Sequence, residues 1–118
     1  MNTEKRDFDK EAALWDENPG RVKLAKDIAQ TISKQITLMP DMNIMDFGCG
    51  TGLLTLQLQP LVRFITCVDS SQGMLNILKT KIARMNLNNV KTELVDLDKG
   101  DTLKGSYDLV LSNMTLHH

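Results

Sequence analysis

The stretch Asp46-Phe47-Gly48-Cys49-Gly50-Thr51-Gly52 decides how this chain is read. An acid is followed by three glycines at alternate positions, and a helical pattern comes next. Glycine carries no Cβ, so this spacing lets the backbone turn tightly out of a strand and lie bare against a ligand. The next apolar run ends in Asp69, 17 residues after Gly52. A carboxylate at that neighbouring strand tip can accept from both hydroxyls of a ribose. The combination predicts a nucleoside-binding β-α-β unit.

The glycine spacing narrows the nucleoside. A dinucleotide fingerprint runs Gly-x-Gly-x-x-Gly. Counted from Gly48, its third glycine falls on Leu53. Counted from Gly50, it requires glycine at 52 and 55, and Thr55 stands there. The chain misses that pattern in both registers and matches acid-x-Gly-x-Gly-x-Gly throughout.

Working outward, residues 1–39 read as helical. Ala25, Ile28, Ala29, Ile32 and Ile36 recur at helical spacing and mark one apolar face. Asn18-Pro19-Gly20 breaks the segment into a short first helix, carrying Phe8, Leu14 and Trp15, and a longer second one. Pro40 is expected to close the second, because the residue before proline is pushed out of helical geometry. Beyond it the texture changes. Strand 1 is read at 44–47, a helix at 51–59 stopped by Pro60, and strand 2 at 63–68. Ser70 or Ser71 would cap a helix whose inner face holds Leu75, Leu78, Ile82 and Met85. Residues 86–89 end that helix, strand 3 follows at 90–95, 99–105 is a polar connection, and strand 4 is 107–112. Strands alternating with helices imply a parallel sheet with right-handed crossovers.

Composition sets the outer bounds. The chain has 118 residues, enough for one modest core, with 25% charged and 42% hydrophobic residues. A formal net charge of −1 gives no general basic field for nucleic acid. No apolar run approaches the roughly 20 residues that span a bilayer. Residues 1–10 are polar, unlike a signal or transit peptide, so the expected location is cytoplasmic and membrane contact is not expected. Cys49 and Cys67 have no metal-ligand spacing, and no metal is expected. They read as reduced thiols used as small side chains, with an adventitious disulfide open to them on adjacent strands.

These segments together resemble the class I S-adenosylmethionine-dependent methyltransferases. The run from Asp46 to Gly52 looks like that family's motif I. Val68-Asp69-Ser70-Ser71-Gln72-Gly73-Met74-Leu75 resembles the segment after it, where the acid holds the ribose of the cofactor. Asp96 is similar to the acid that contacts the adenine amino group. Tyr107-Asp108-Leu109-Val110-Leu111-Ser112-Asn113 looks like the fourth strand, and Leu116-His117-His118 the stretch beyond it. Phe8 through Trp15-Asp16, then Arg21, resemble the family's helical cap. The resemblance implies an α/β, Rossmann-like parallel sheet of order 3-2-1-4, truncated from the family's seven strands, behind an N-terminal helical cap. The division expected is 1–40 for the cap and 41–118 for the cofactor-binding half. In that order strand 4 is an apolar edge, a pairing liability. An N-terminal portion of a longer protein is the favoured reading; cover by another subunit, or self-association through this edge, is the other.

The resemblance also implies S-adenosylmethionine as cofactor, S-adenosylhomocysteine as product, and methyl transfer to a small-molecule acceptor. Gly48, Cys49, Gly50 and Gly52 would floor the methionine part. Asp46 would orient the loop and reach the cofactor's amino group, directly or through water. Asp69, with Ser70 beside it, would take the ribose, or Asp69 would serve as a helix cap. Asp96 and Leu97 would bracket the adenine. Met74 fits the opposite ring face and a core position equally. Asn113 would offer its backbone to the cofactor or simply end strand 4. Trp15 and Arg21 would belong to a lid, or else plug a helix-sheet junction and stay solvated. His117 and His118 are weak candidates for a general base and otherwise shape the acceptor pocket. Two other readings stay open: a binding module without acceptor chemistry, and a nicotinamide-dependent oxidoreductase, which the glycine spacing disfavours.

Overall fold

The computed structural model describes residues 18–96, 100 and 105–112. Helix α1 spans Pro19–Gln35. It is followed by strand β1 (Asn43–Phe47), helix α2 (Leu53–Leu58), a 3-10 turn (Gln59–Leu61), strand β2 (Phe64–Asp69), helix α3 (Gln72–Met85), strand β3 (Val90–Leu94) and strand β4 (Leu109–Ser112). The four strands form one sheet of order β3-β2-β1-β4. Every pairing is parallel, with Asp46 beside Cys67, Ile44 beside Leu109, and Asp69 beside Leu94. This is the Rossmann-like order expected of the sequence.

The two central strands are apolar on both faces, as a parallel sheet requires. Ile44 and Met45 on β1, and Ile65, Cys67 and Val68 on β2, are all buried. Ile44, Ile65, Cys67, Val90, Leu109 and Leu111 join Ala29 of α1, Leu54 and Leu58 of α2, and Leu75 and Leu78 of α3 in one core. The α1 helix therefore shares the sheet's core instead of standing apart from it.

Several boundaries differ from the sequence reading, each for a local reason. The longer helix begins at the Asn18-Pro19-Gly20 break, and the short first helix expected before it lies outside the described residues. Asn18 Oδ1 accepts from Gly20 N at 2.9 Å, and Pro19 occupies the first turn, where its missing N–H loses no bond. The helix ends at Gln35, ahead of Pro40. Ile36 is already extended at φ −127°, although its N–H still reaches Ile32 O at 2.8 Å. Pro40 sits instead in a turn closed by Met42 N to Met39 O at 3.0 Å, the second turn position that its fixed φ suits. Helix α2 begins at Leu53, two residues later than expected, because Gly52 holds φ +83°. Pro60 lies inside the 3-10 turn. Ser71, of the two serines, caps α3: its Oγ accepts from Met74 N at 3.2 Å. At the other end of α3, Met85 faces outward at 51% exposure. Ile82 and Leu87 pack against the core there, because Asn86 turns left-handed (φ 53°) and reverses the chain.

Candidate functional site

The glycine loop joins β1 to α2 at the carboxyl ends of the strands. In the order β3-β2-β1-β4 the chain moves one way from β1 to β2 and the other way to β4. The loop thus leaves β1 at the sheet's topological switch point, where open α/β sheets bind ligands.

All three glycines of the loop adopt positive φ: Gly48 at +73°, Gly50 at +58° and Gly52 at +83°. The loop is stitched to β2 at its start, where Gly48 N and Cys49 N both donate to Val68 O, at 2.7 and 3.1 Å. Gly52 N closes the turn on Cys49 O at 3.0 Å. A Cβ at Gly52 would collide with the Leu78 side chain of α3. From the same helix, Lys81 Nζ donates to Thr51 O at 2.9 Å.

Asp69 ends β2 and holds the middle of the loop. Its Oδ2 accepts from Gly50 N at 2.8 Å, and its Oδ1 accepts from Ser71 N at 2.9 Å. These bonds tie the glycine loop, the end of β2 and the start of α3 to one carboxylate. Asp69 is half-buried. An ionised carboxylate has about four acceptor positions, so two such bonds leave capacity for ligand hydroxyls. The helix cap is Ser71, not Asp69. The segment after β3 reaches the same end of the sheet, since Val95 N donates to Asp69 O at 3.0 Å. The half-buried Asp96 follows directly.

Asp46 lies beneath the loop. It is 1% exposed, and its Oδ2 accepts from Thr55 Oγ1 at 2.6 Å. That hydroxyl also lies 3.2 Å from Cys67 Sγ. At least one oxygen of Asp46 is therefore turned toward α2, and its hold on the loop runs through the first turn of that helix. Cys49 and Cys67 are both free and buried, and the Cys49 Sγ approaches Gly50 O at 3.7 Å. Contact with the Cys67 thiol, then burial, push the Cys49 thiol well above its ordinary range, and the charges of Asp46 and Asp69 add to this.

Of the remaining expected residues, Met74 is buried in the first turn of α3, Ser70 is exposed, and Arg21 is half-buried near the start of α1. Trp15, Leu97, Asn113, His117 and His118 lie outside the described residues. The sequence reading did not single out Thr55, Ser71's second role as an amide donor to Asp69, or Lys81. Thr55 carried one usable signal, a hydroxyl on the helix face shared with Leu54 and Leu58. Lys81 carried none, since a helical lysine is ordinarily solvated. A groove of ≈ 410 Å³ lined by Lys26, Gln30, Ser33, Lys34, Gln57 and Leu61 shares no residue with the loop or with Asp69. Among the described residues no group of three or more His, Cys, Asp or Glu is placed to hold a metal ion.

The sequence profile of the family described as "Methyltransferase domain" matches residues 44–118. The chain belongs to this family, the class I S-adenosylmethionine-dependent methyltransferases. It is 32% identical over 95 residues to the malonyl-[acyl-carrier protein] O-methyltransferase of Bacillus anthracis, a match covering 79% of this chain and 34% of that protein. The chain spans about a third of the length of the curated relatives it matches. Among solved structures it is similar to a Methanococcus maripaludis protein assigned to the S-adenosylmethionine-dependent methyltransferases. There the TM-score is 0.75 and the identity 24%, over 92% of this chain and 51% of the other. It is also similar to coclaurine N-methyltransferase, solved with N-methylheliamine and S-adenosylhomocysteine, with a TM-score of 0.65 and 25% identity over 75% of this chain and 26% of that one. The family's cofactor is S-adenosylmethionine. The residues present fit it: the loop bares its backbone at positive-φ glycines, and Asp69 offers a half-buried carboxylate beside that backbone.

Proposed function

We propose that this chain is the cofactor-binding part of a methyltransferase acting on a small-molecule acceptor, and that the glycine loop and Asp69 hold S-adenosylmethionine. The observation that carries the assignment of roles is the Asp69 clamp, with Gly50 N and Ser71 N on its two oxygens. Asp69 accepts from the ribose hydroxyls. Its negative charge would repel a 2′-phosphate. The backbone of Gly48, Cys49, Gly50 and Gly52 lines the methionine part. Asp46 positions the loop from below through Thr55, and Lys81 steadies it at Thr51 O. Asp96, with Leu97, takes the adenine edge, and Met74 packs beneath the ring.

When bound, the cofactor supplies a methyl group already activated on a sulfonium centre. What the chain must then contribute is positioning and exclusion of water. No acid or base among the described residues is assigned a step, and His117 and His118 are given none.

Malonyl-[acyl-carrier protein] and coclaurine, the acceptors in the relatives' names, support a small organic acceptor group. Cytoplasmic placement is part of the proposal. It is supported by two free buried thiols, which suit a reducing compartment; no helix among the described residues is long and apolar enough to cross a membrane. Val110, 56% exposed on β4, supports association through that edge.

Parallel calorimetric titrations with S-adenosylhomocysteine and with NAD test the cofactor assignment. The proposal expects saturable binding of S-adenosylhomocysteine and none of NAD. Binding of NAD in preference would restore the oxidoreductase reading.

A further inference from the structure

Three polar side chains meet in the core beneath the glycine loop, each from a different element. Asp46 of β1 and Cys67 of β2 are register partners, and partners on parallel strands present their side chains to the same sheet face. Helix α2 packs there and brings in Thr55. Thr55 and Cys67 are 0% exposed and Asp46 is 1% exposed. The Thr55 hydroxyl lies 2.6 Å from Asp46 Oδ2 and 3.2 Å from Cys67 Sγ. Counting protons fixes the direction of both contacts. A hydroxyl has one proton to give. At 2.6 Å, a length usual for a hydroxyl on a carboxylate, that proton goes to Asp46 Oδ2. Thr55 Oγ1 then has only lone pairs to offer Cys67, so the Cys67 S–H is the donor in the second contact. The order runs thiol to hydroxyl to carboxylate and ends on the acid.

We propose that Thr55 is a positioning residue of the cofactor site: with Cys67 behind it, its hydroxyl fixes the Asp46 carboxylate so that the acid serves the ammonium group at the amino-acid end of S-adenosylmethionine. The inference rests on the cofactor assignment made above. There the loop backbone lines the methionine part and Asp69 is committed to the ribose. Asp46 is the carboxylate beneath the loop, two residues before Gly48. A buried carboxylate is stabilised by hydrogen bonds and by opposite charge. Thr55 supplies a hydrogen bond, and the ligand's ammonium group supplies the charge.

Removing the hydroxyl takes this donor from Oδ2 and leaves the carboxylate free to turn. The ribose end stands on other bonds, since Asp69 is held by Gly50 N and Ser71 N. Loss of the Thr55 hydroxyl is therefore felt at one end of the ligand and not at the other.

Calorimetric titration of the full chain with two ligands tests this. One is S-adenosylhomocysteine; the other is 5′-methylthioadenosine, which keeps the adenosine and the sulfur and lacks the amino-acid end. Thr55→Val exchanges the hydroxyl for a methyl group and keeps the branch at Cβ. It is expected to weaken S-adenosylhomocysteine about tenfold or more, and methylthioadenosine by less than about threefold. Thr55→Ser should hold both ligands within about threefold of wild type. Circular dichroism confirms folding, and Thr55→Ala replaces a valine variant that fails it. Equal losses for the two ligands would mean that Thr55 only packs the loop. Unchanged S-adenosylhomocysteine binding would mean that Asp46 needs no such hold. Either result overturns the proposal. Asp46→Asn gives a second reading with S-adenosylhomocysteine alone. It should cost about tenfold or more, and adding the Thr55 substitution should cost little further, because members of one hydrogen-bonded chain are not additive. Losses that multiply, or full binding by Asp46→Asn, overturn the proposal. Wild-type protein that fails to bind S-adenosylhomocysteine overturns the cofactor assignment itself. Failure of the split is read in variants of a wild type that binds, so the two failures are distinguishable.

Discussion

At Gly52 two demands fall on one residue. Its φ of +83° is a left-handed conformation, and the Leu78 side chain stands where a Cβ would go. Alanine there meets about 1–2 kcal/mol of backbone strain and about 1–3 kcal/mol of overpacking. Gly52→Ala is expected to lower stability by about 2–5 kcal/mol, read by urea denaturation; a midpoint unchanged from wild type would contradict the loop geometry. The Cys49 thiol makes a second prediction. Its pKa is raised in the fold from an ordinary 9.0, so its contribution is intact below pH 9. Above that the unfolded chain loses the proton and the folded chain keeps it. Stability should therefore fall with rising pH by about 1.4 kcal/mol per unit. Thermal melts from pH 8 to 10.5 should show a shallower decline in Cys49→Ala than in wild type, and parallel declines would refute the burial of this thiol. Asp46, the glycines and Asp69 were legible at this scale because each is a residue type that geometry demands at a fixed spacing. Thr55 and Lys81 were not: their roles arise from partners 9 and 30 residues away, which no local pattern encodes.

The elements were legible by type and less so at their ends. The apolar spacing of Ala25, Ile28, Ala29 and Ile32 gave α1 its inner face, and the short run ending in Asp46-Phe47 gave β1. The ends depended on capping. Asn18-Pro19-Gly20 marked where α1 begins, and the cap itself is made by the Asn18 side chain, which accepts from Gly20 N at 2.9 Å. Asn18→Ala should destabilise the protein by about 1 kcal/mol, and Asn18→Gly by only a few tenths. Denaturation of the pair checks this, and equal loss in both would show that Asn18 acts otherwise than as a cap. Pro40 read as a helix stop, but Ile36 had already left the helix, and the proline was free to shape the turn that leads into β1.

For the whole molecule, the alternation of strands and helices was enough to give a parallel sheet, and the family resemblance gave its order. Side-chain pattern alone could not, because β1, β2 and β4 are all short and apolar, and burial of β1 and β2 on both faces erases the alternation that distinguishes neighbours. The order matters because it places the loop after β1 and the acid at the end of β2 at one switch point, where Asp69 accepts from both Gly50 N and Ser71 N. The central claim is that this carboxylate holds the cofactor. Titration of wild type and Asp69→Ala with S-adenosylhomocysteine tests it most directly, with circular dichroism confirming that both are folded. Hydrogen bonds to a charged group contribute about 1.5–3 kcal/mol, so the account predicts saturable binding by wild type and a loss of at least about tenfold in the variant. A folded Asp69→Ala protein that binds as tightly as wild type would contradict it.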